Sequence, residues 1–118
     1  MTDLALKTNG LNHLALVCSD MARTVEFYEG LLGFPLVKTI ELPVEMGQHF
    51  FFDIGGGDHL AFFWFPDAPA AAPGVASAPS LPDRGDLPSA VGSMTHVAFD
   101  GDADLIEEYR QRLVDAGI

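Results

Sequence analysis

The stretch LNHLALVCSDMARTVEFYEGLLGFPLV, residues 11–37, decides the fold because it joins a short apolar strand to an amphipathic helix. The stretch opens with a mostly apolar run that predicts a buried strand, with His13 on one of its two faces. Ser19 and Asp20 then supply helix-capping chemistry, and apolar residues recur every three or four positions as far as Leu32. Gly33 is the residue type that commonly ends a helix.

Three extended segments follow this strand and helix. Residues 34–42 form the first, and the runs QHFFFDI (48–54) and HLAFFWF (59–65) form the second and third. A glycine-rich turn between the last two runs predicts a hairpin. Residues 9–66 are therefore expected to form one βαβββ unit.

A partial repeat of this unit follows a Pro/Ala-rich segment at residues 67–92, which we interpret as a linker. MTHVAF (94–99) matches LNHLAL (11–16), and the match aligns His13 with His96, 83 positions later. A helical stripe begins near Asp102. Residues 93–118 thus predict the start of a second unit, with its strand and helix only.

Composition excludes several classes of protein. The net charge of −11 argues against nucleic acid and against anionic membrane surfaces as partners, because both require a basic face. The most apolar stretch is broken by aspartates and glycines, which excludes a membrane span. A single cysteine and an N-terminus without a signal-peptide pattern predict a reducing, cytoplasmic location.

The quoted stretch, together with GSMTHVAFD (92–100), resembles the vicinal oxygen chelate superfamily. That superfamily includes glyoxalase I, extradiol dioxygenases, and fosfomycin- and bleomycin-resistance proteins. The resemblance implies an α+β fold in which paired βαβββ units form a curved mixed sheet around a cleft, with the second unit incomplete here. It also implies a small-molecule substrate.

The resemblance further implies that His13 and His96 bind one divalent metal ion. Imidazole suits iron, manganese, nickel or zinc. The third ligand of the family is a Glu on the last strand of the second unit, a position beyond Ile118. The glyoxalase-type fourth ligand would be a carboxylate within HLAFFWF (59–65), which has none, so a three-ligand site is expected. His59 is a strand end that could stand in as a ligand.

The phenylalanine-rich runs predict the walls of the cleft. Four residues are expected to contact the substrate: Phe50, Phe52, Phe63 and Trp64. His49 could act there as an acid/base group. An apolar or aromatic substrate with adjacent oxygens, such as a catechol, suits these walls. A fosfomycin-type anionic substrate is disfavoured because no basic residue is near either histidine strand in the sequence.

The sequence predicts a dioxygenase or glyoxalase-like enzyme and leaves two alternatives open, a metal-free binding protein and a purely structural domain. A metal-free protein of the bleomycin-resistance type would sequester a cationic or aromatic molecule, and the charge of −11 fits that function. A homodimer is expected in either case, because an incomplete second unit leaves strand edges that a partner must cover.

Overall fold

A computed structural model describes residues 7–70, 94 and 96–118, and the chain divides into two compact units between Ala68 and Pro69. The first unit contains all four strands of the described residues. Its elements are β1 (His13–Cys18), α1 (Met21–Val25) continued by a π-helical segment (Glu26–Leu31), β2 (Leu36–Glu41), a 3₁₀ turn (Pro43–Glu45), β3 (Gln48–Gly55) and β4 (Asp58–Trp64). This order is the βαβββ unit that the sequence predicts.

The strands form one mixed sheet in the order β1-β4-β3-β2. β1 runs parallel to β4, whereas β3 is antiparallel to both β4 and β2. The hairpin between β3 and β4 turns through Gly56 and Gly57, whose φ angles of 65° and 83° match a type I′ turn. Only glycine adopts two such angles in succession at low cost, so the predicted turn is confirmed.

One face of the sheet is covered by the helix. Its buried centre consists of Met21, Phe52, Leu60 and Phe62, and half-buried residues from every strand pack around it. β1 contributes Leu14, Leu16 and Cys18 to this cluster, while His13, Ala15 and Val17 on the same strand are exposed. The alternation in β1 is the pattern expected of a strand with one covered face.

The predicted ends of α1 are confirmed, but its interior differs. The Asp20 carboxylate accepts a hydrogen bond of 3.0 Å from the Arg23 backbone N–H, and Gly33 has a φ of 78°. The spacing predicted a regular α-helix, whereas the second half is π-helical and the Leu32 N–H donates to the Phe27 carbonyl. A π-helical segment adds a residue to the turn, which simple periodicity does not indicate.

The second unit contains α2 (Ala103–Asp115). The helix ends as predicted at Gly117, where the Gly117 and Ile118 N–H groups donate to the Val114 and Leu113 carbonyls. Residues 94 and 96–99, predicted as a strand, have no strand assignment. A strand is defined by its ladder to a neighbour, and α2 is the only regular element among the described residues of this unit. Most of the predicted linker lies outside the described residues.

The loop between β2 and β3 is closed by a glycine that has no room for a side chain. Gly47 is buried with a φ of 140°, and a Cβ there would lie 2.0 Å from the Trp64 carbonyl oxygen. Its own carbonyl accepts a hydrogen bond of 2.9 Å from the Leu42 N–H. Gly47 therefore lets the start of β3 approach the end of β4.

Replacing Gly47 by alanine is expected to destabilise the protein by more than about 2 kcal/mol, because backbone atoms would have to move. The matched control is Gly101→Ala, where an added Cβ meets nothing within 4 Å. That control should change the free energy of unfolding by less than about 0.5 kcal/mol. Urea denaturation measures both, and equal effects of the two variants would contradict this account of the loop.

Candidate functional site

The face of the sheet opposite the helix, here called the open face, carries all three histidines of the first unit. The ladders place His13 opposite His59 and His59 opposite Asp53. Alternation along the strands assigns the following residues to it: His13, Ala15 and Val17 on β1; His59, Ala61 and Phe63 on β4; His49, Phe51 and Asp53 on β3; and Lys38 and Ile40 on β2.

His13 is exposed on the open face with one nitrogen already engaged. Its Nδ1 lies 2.7 Å from the Asn12 side-chain oxygen, and in the tautomer in which Nδ1–H donates to that oxygen, Nε2 carries the lone pair. The Asn12 carbonyl in turn accepts a 3.0 Å hydrogen bond from the His59 N–H, which ties this residue to β4. A histidine held through one nitrogen with the other free is the usual arrangement of an imidazole metal ligand.

His49 is buried on the same face among aromatic rings. It is 9% exposed and stacks on Phe63 with ring centroids 3.6 Å apart and planes 13° apart. Phe51 lies 4.3 Å from its centroid, and the His13 ring lies 6.3 Å away. The Nε2 of His49 has no hydrogen-bond partner within the described part of the chain.

Burial lowers the pKa of His49 from its usual value near 6.5, and the nearby charges of His13 and Lys38 lower it further. At neutral pH the ring is therefore uncharged. An uncharged imidazole can accept a proton at one nitrogen and donate one at the other, which is the property required of an acid/base group. The structure thus places His49, the predicted acid/base residue, beside His13.

Lys38 brings a positive charge to this face that the sequence analysis did not anticipate. Its Nζ lies 5.6 Å from the centroid of Phe51, and Phe51 lies 5.3 Å from the His13 ring. The sequence predicted no basic residue near the histidine strands, and the position of Lys38 contradicts that prediction. Lys38 is on β2, and its proximity depends on the β2–β3 ladder, where it lies opposite Phe51.

The four aromatic residues predicted to contact substrate divide between the two faces. Phe63 is on the open face, where it stacks on His49 and on Phe65. Phe50, Phe52 and Trp64 belong instead to the cluster under the helix. Phe52 has no exposed surface, which corrects its assignment as a substrate contact. Phe51 and Phe65 are the aromatic neighbours that the sequence analysis missed.

Phe51 and Phe65 could have been assigned to the face of His13 by counting every second residue, had the register between the strands been known. His13 fixes the open face of β1, and the register carries that face to every second residue of β4 and β3. Without the register, unbroken aromatic runs give no alternation from which to choose a face.

The described residues offer His13 as a candidate metal ligand. They contain no group of three or more His, Cys, Asp or Glu side chains that could hold an ion. The residues of β4 on the open face are His59, Ala61 and Phe63, none of which is a carboxylate. His59, near the start of β4, lies beside His13 on β1. His13 therefore suits one imidazole ligand, while His96 in the second unit and the external carboxylate stay predictions.

The buried, uncharged state of His49 predicts a pH effect on stability. Because its pKa is lowered by folding, the unfolded chain binds this proton more readily as pH falls below about 6.5, and the free energy of unfolding decreases. His49→Phe keeps a ring on Phe63 and removes the titrating group. Urea denaturation at pH 7.5 and 5.5 should show a smaller loss in the variant. Parallel losses in the two proteins would refute this explanation.

Residues 10–118 match the model of the glyoxalase/bleomycin resistance protein/dioxygenase superfamily. None of the curated protein sequences matches the chain significantly. No helix among the described residues is long and apolar enough to cross a membrane.

Solved structures share the fold at low sequence identity. A glyoxalase family protein from Enterococcus faecalis is 24% identical to this chain, with a TM-score of 0.65. The match covers 93% of this chain and 74% of the Enterococcus protein. A mutant of the fosfomycin resistance protein FosX from Listeria monocytogenes, solved with Mn(II) and 1S,2S-dihydroxypropylphosphonic acid, has a TM-score of 0.60 to this chain and is 18% identical to it. The match covers 95% of this chain and 72% of FosX.

Lactoylglutathione lyase from Agrobacterium tumefaciens is 24% identical with a TM-score of 0.54, covering 94% of this chain and 72% of its own. These likenesses support the fold, whereas the family match extends over nearly the whole sequence. The chain belongs to the glyoxalase/bleomycin resistance protein/dioxygenase superfamily.

Proposed function

We propose that this protein is a metal-dependent enzyme of the vicinal oxygen chelate type, with an extradiol dioxygenase or glyoxalase-like activity on a small substrate that has two adjacent oxygens. The observation that carries the proposal is the open face itself. It places an exposed imidazole with a free Nε2, that of His13, 6.3 Å from the buried ring of His49. One group suits ligation and the other suits proton transfer.

The metal assignment rests on His13 and on the sequence repeat. His13 and His96 are proposed as ligands of one iron, manganese, nickel or zinc ion, with a carboxylate from outside these 118 residues as the third ligand. A divalent ion at such a site would act as a Lewis acid on the bound oxygens. FosX, which shares the fold, has been crystallised with Mn(II) and a dihydroxy compound.

The role proposed for His49 is to exchange a proton with a substrate oxygen. Its uncharged ring and its unpartnered Nε2 leave it able to do so without first breaking a protein hydrogen bond. The stack on Phe63 and the contact with Phe51 hold the ring in place. A positioned acid/base group contributes about 10²- to 10⁴-fold to a rate.

The walls of the open face favour a substrate with an apolar or aromatic part. Phe51 and Phe63 are half-buried, and both therefore retain surface that a ligand can cover. An aromatic 1,2-diol, a catechol, combines a flat ring with two adjacent oxygens. It is the substrate class that this combination of rings and imidazoles suits best.

A metal-free binding protein is the second candidate. The charge of −11 and the nearly parallel rings of His49, Phe63 and Phe65 would suit a cationic aromatic ligand. The Lys38 ammonium over Phe51 opposes a cation at that part of the face. Calorimetry with a cationic glycopeptide, beside elemental analysis of the purified protein, separates the two functions.

The ligand assignment predicts that His13→Ala weakens metal binding by about tenfold or more, because removing a ligand costs at least as much as removing its supporting partner. His96→Ala should have the same effect. Equilibrium dialysis against Mn(II), Fe(II), Ni(II) and Zn(II) measures it. Thr39→Ala, at an exposed position of β2 that has no proposed role, is the control and should retain the ion. Full retention by both His13→Ala and His96→Ala would overturn the metal assignment.

The role of His49 predicts a different pattern. His49→Gln should retain metal and substrate binding but lower kcat by about 10²-fold or more. Oxygen uptake with catechol tests the dioxygenase activity, and isomerisation of a glutathione hemithioacetal tests the glyoxalase-like activity. A kcat unchanged from that of the unmodified protein would show that His49 takes no part in proton transfer.

A further inference from the structure

We propose that Lys38 binds an anionic group of the substrate, so that the substrate is a carboxylate-bearing aromatic diol. The inference rests on the proposed function, since it adds a third recognition element to the same open face. It assigns specificity to a residue on β2, a strand to which the sequence analysis gave no role.

The charge environment of Lys38 supports this role. It is the only Lys or Arg residue on the four described strands. The chain has 17 acidic residues, and Arg110 and Arg112 on α2 pair with Glu107 and Glu108. Lys38 forms no ion pair with a described residue and lies over the Phe51 ring instead. Its charge is therefore available to a ligand.

The position of Lys38 relates it to the two histidines. The centroid of the Phe51 ring lies 5.6 Å from the Lys38 ammonium, 5.3 Å from the centroid of the His13 ring and 4.3 Å from that of the His49 ring. The contact with an aromatic face directs the lysine side chain over the sheet. A ligand bound beside Phe51 would thus be near the ammonium and both imidazoles.

His49 supplies an independent indication that a ligand is recognised here. Its Nε2 is buried in a residue only 9% exposed and has no hydrogen-bond partner among the described residues. Buried polar groups are nearly always paired, and exceptions concentrate where a ligand or a reaction completes the pairing. The Lys38 ammonium and the His49 Nε2, neither of which has a polar partner among the described residues, thus both lie near the ring of Phe51.

A carboxylate at Lys38 and a pair of oxygens toward His13 define the substrate class. Catechol has the two oxygens alone, whereas 3,4-dihydroxybenzoate adds a carboxylate on the far side of the ring. 3,4-Dihydroxybenzamide has nearly the same shape without the charge. These three compounds separate the contribution of charge from the contribution of size.

The test is calorimetric titration of the full chain, in the presence of Mn(II), with each of the three compounds. Dihydroxybenzoate should bind about threefold to fivefold more tightly than the benzamide, as one partly screened ion pair would give. Lys38→Met should abolish this difference and leave catechol binding unchanged, while Lys38→Arg should retain it. Lys7→Met is the matched control, because Lys7 is the other lysine of the chain.

Equal binding of dihydroxybenzoate and dihydroxybenzamide to the unmodified protein would overturn the inference, as would a preference that survives in Lys38→Met. A preference lost equally in Lys7→Met would reduce it to an effect of net charge. Metal binding by His13→Ala tests the proposed function independently of the role of Lys38. The protein can therefore fail one test and pass the other.

Discussion

The parallel ladder between β1 and β4 is the constraint on which the rest of the structure depends. The two strands are far apart in sequence, and their pairing adds β1 to the hairpin of β3 and β4. Because side chains alternate, the register that sends Leu60 and Phe62 under the helix also places His13 beside His59 and Ala61 on the other face. A slip of one residue would reverse both assignments and remove His13 from the open face.

Most of the first unit could be predicted from local sequence because its signals are local. The capping carboxylate of Asp20, the glycine at Gly33 and the Gly56–Gly57 turn each depend on backbone angles or hydrogen bonds within a few residues. The alternation in β1 was visible in the sequence because the polar His13 and the small Ala15 lie on one face, while the larger Leu14 and Leu16 lie on the other. Signals of this kind survive without knowledge of the tertiary structure.

The site was less predictable because its composition depends on pairing between strands. Runs such as FFF and FFWF provide an aromatic residue for either face, so only the register decides that Phe51 and Phe63 join His13 while Phe52 is buried. Lys38 reaches the site through a ladder that also contains an irregularity between Leu36 and Lys38. Parity counted along β2 from Leu36 alone would have assigned Lys38 to the helix side.

The distribution of charge changes the meaning of the acidic composition. A net charge of −11 describes the chain, but a ligand responds to the side chains that it meets. Glu29 is used structurally, accepting a hydrogen bond from the Leu36 N–H, and Asp53 accepts one from the Gly55 N–H. Asp53 lies on the open face as well, but around Phe51 that face presents the His13 and His49 imidazoles and the Lys38 ammonium. Local charge there therefore favours an anion, even though the protein as a whole is acidic.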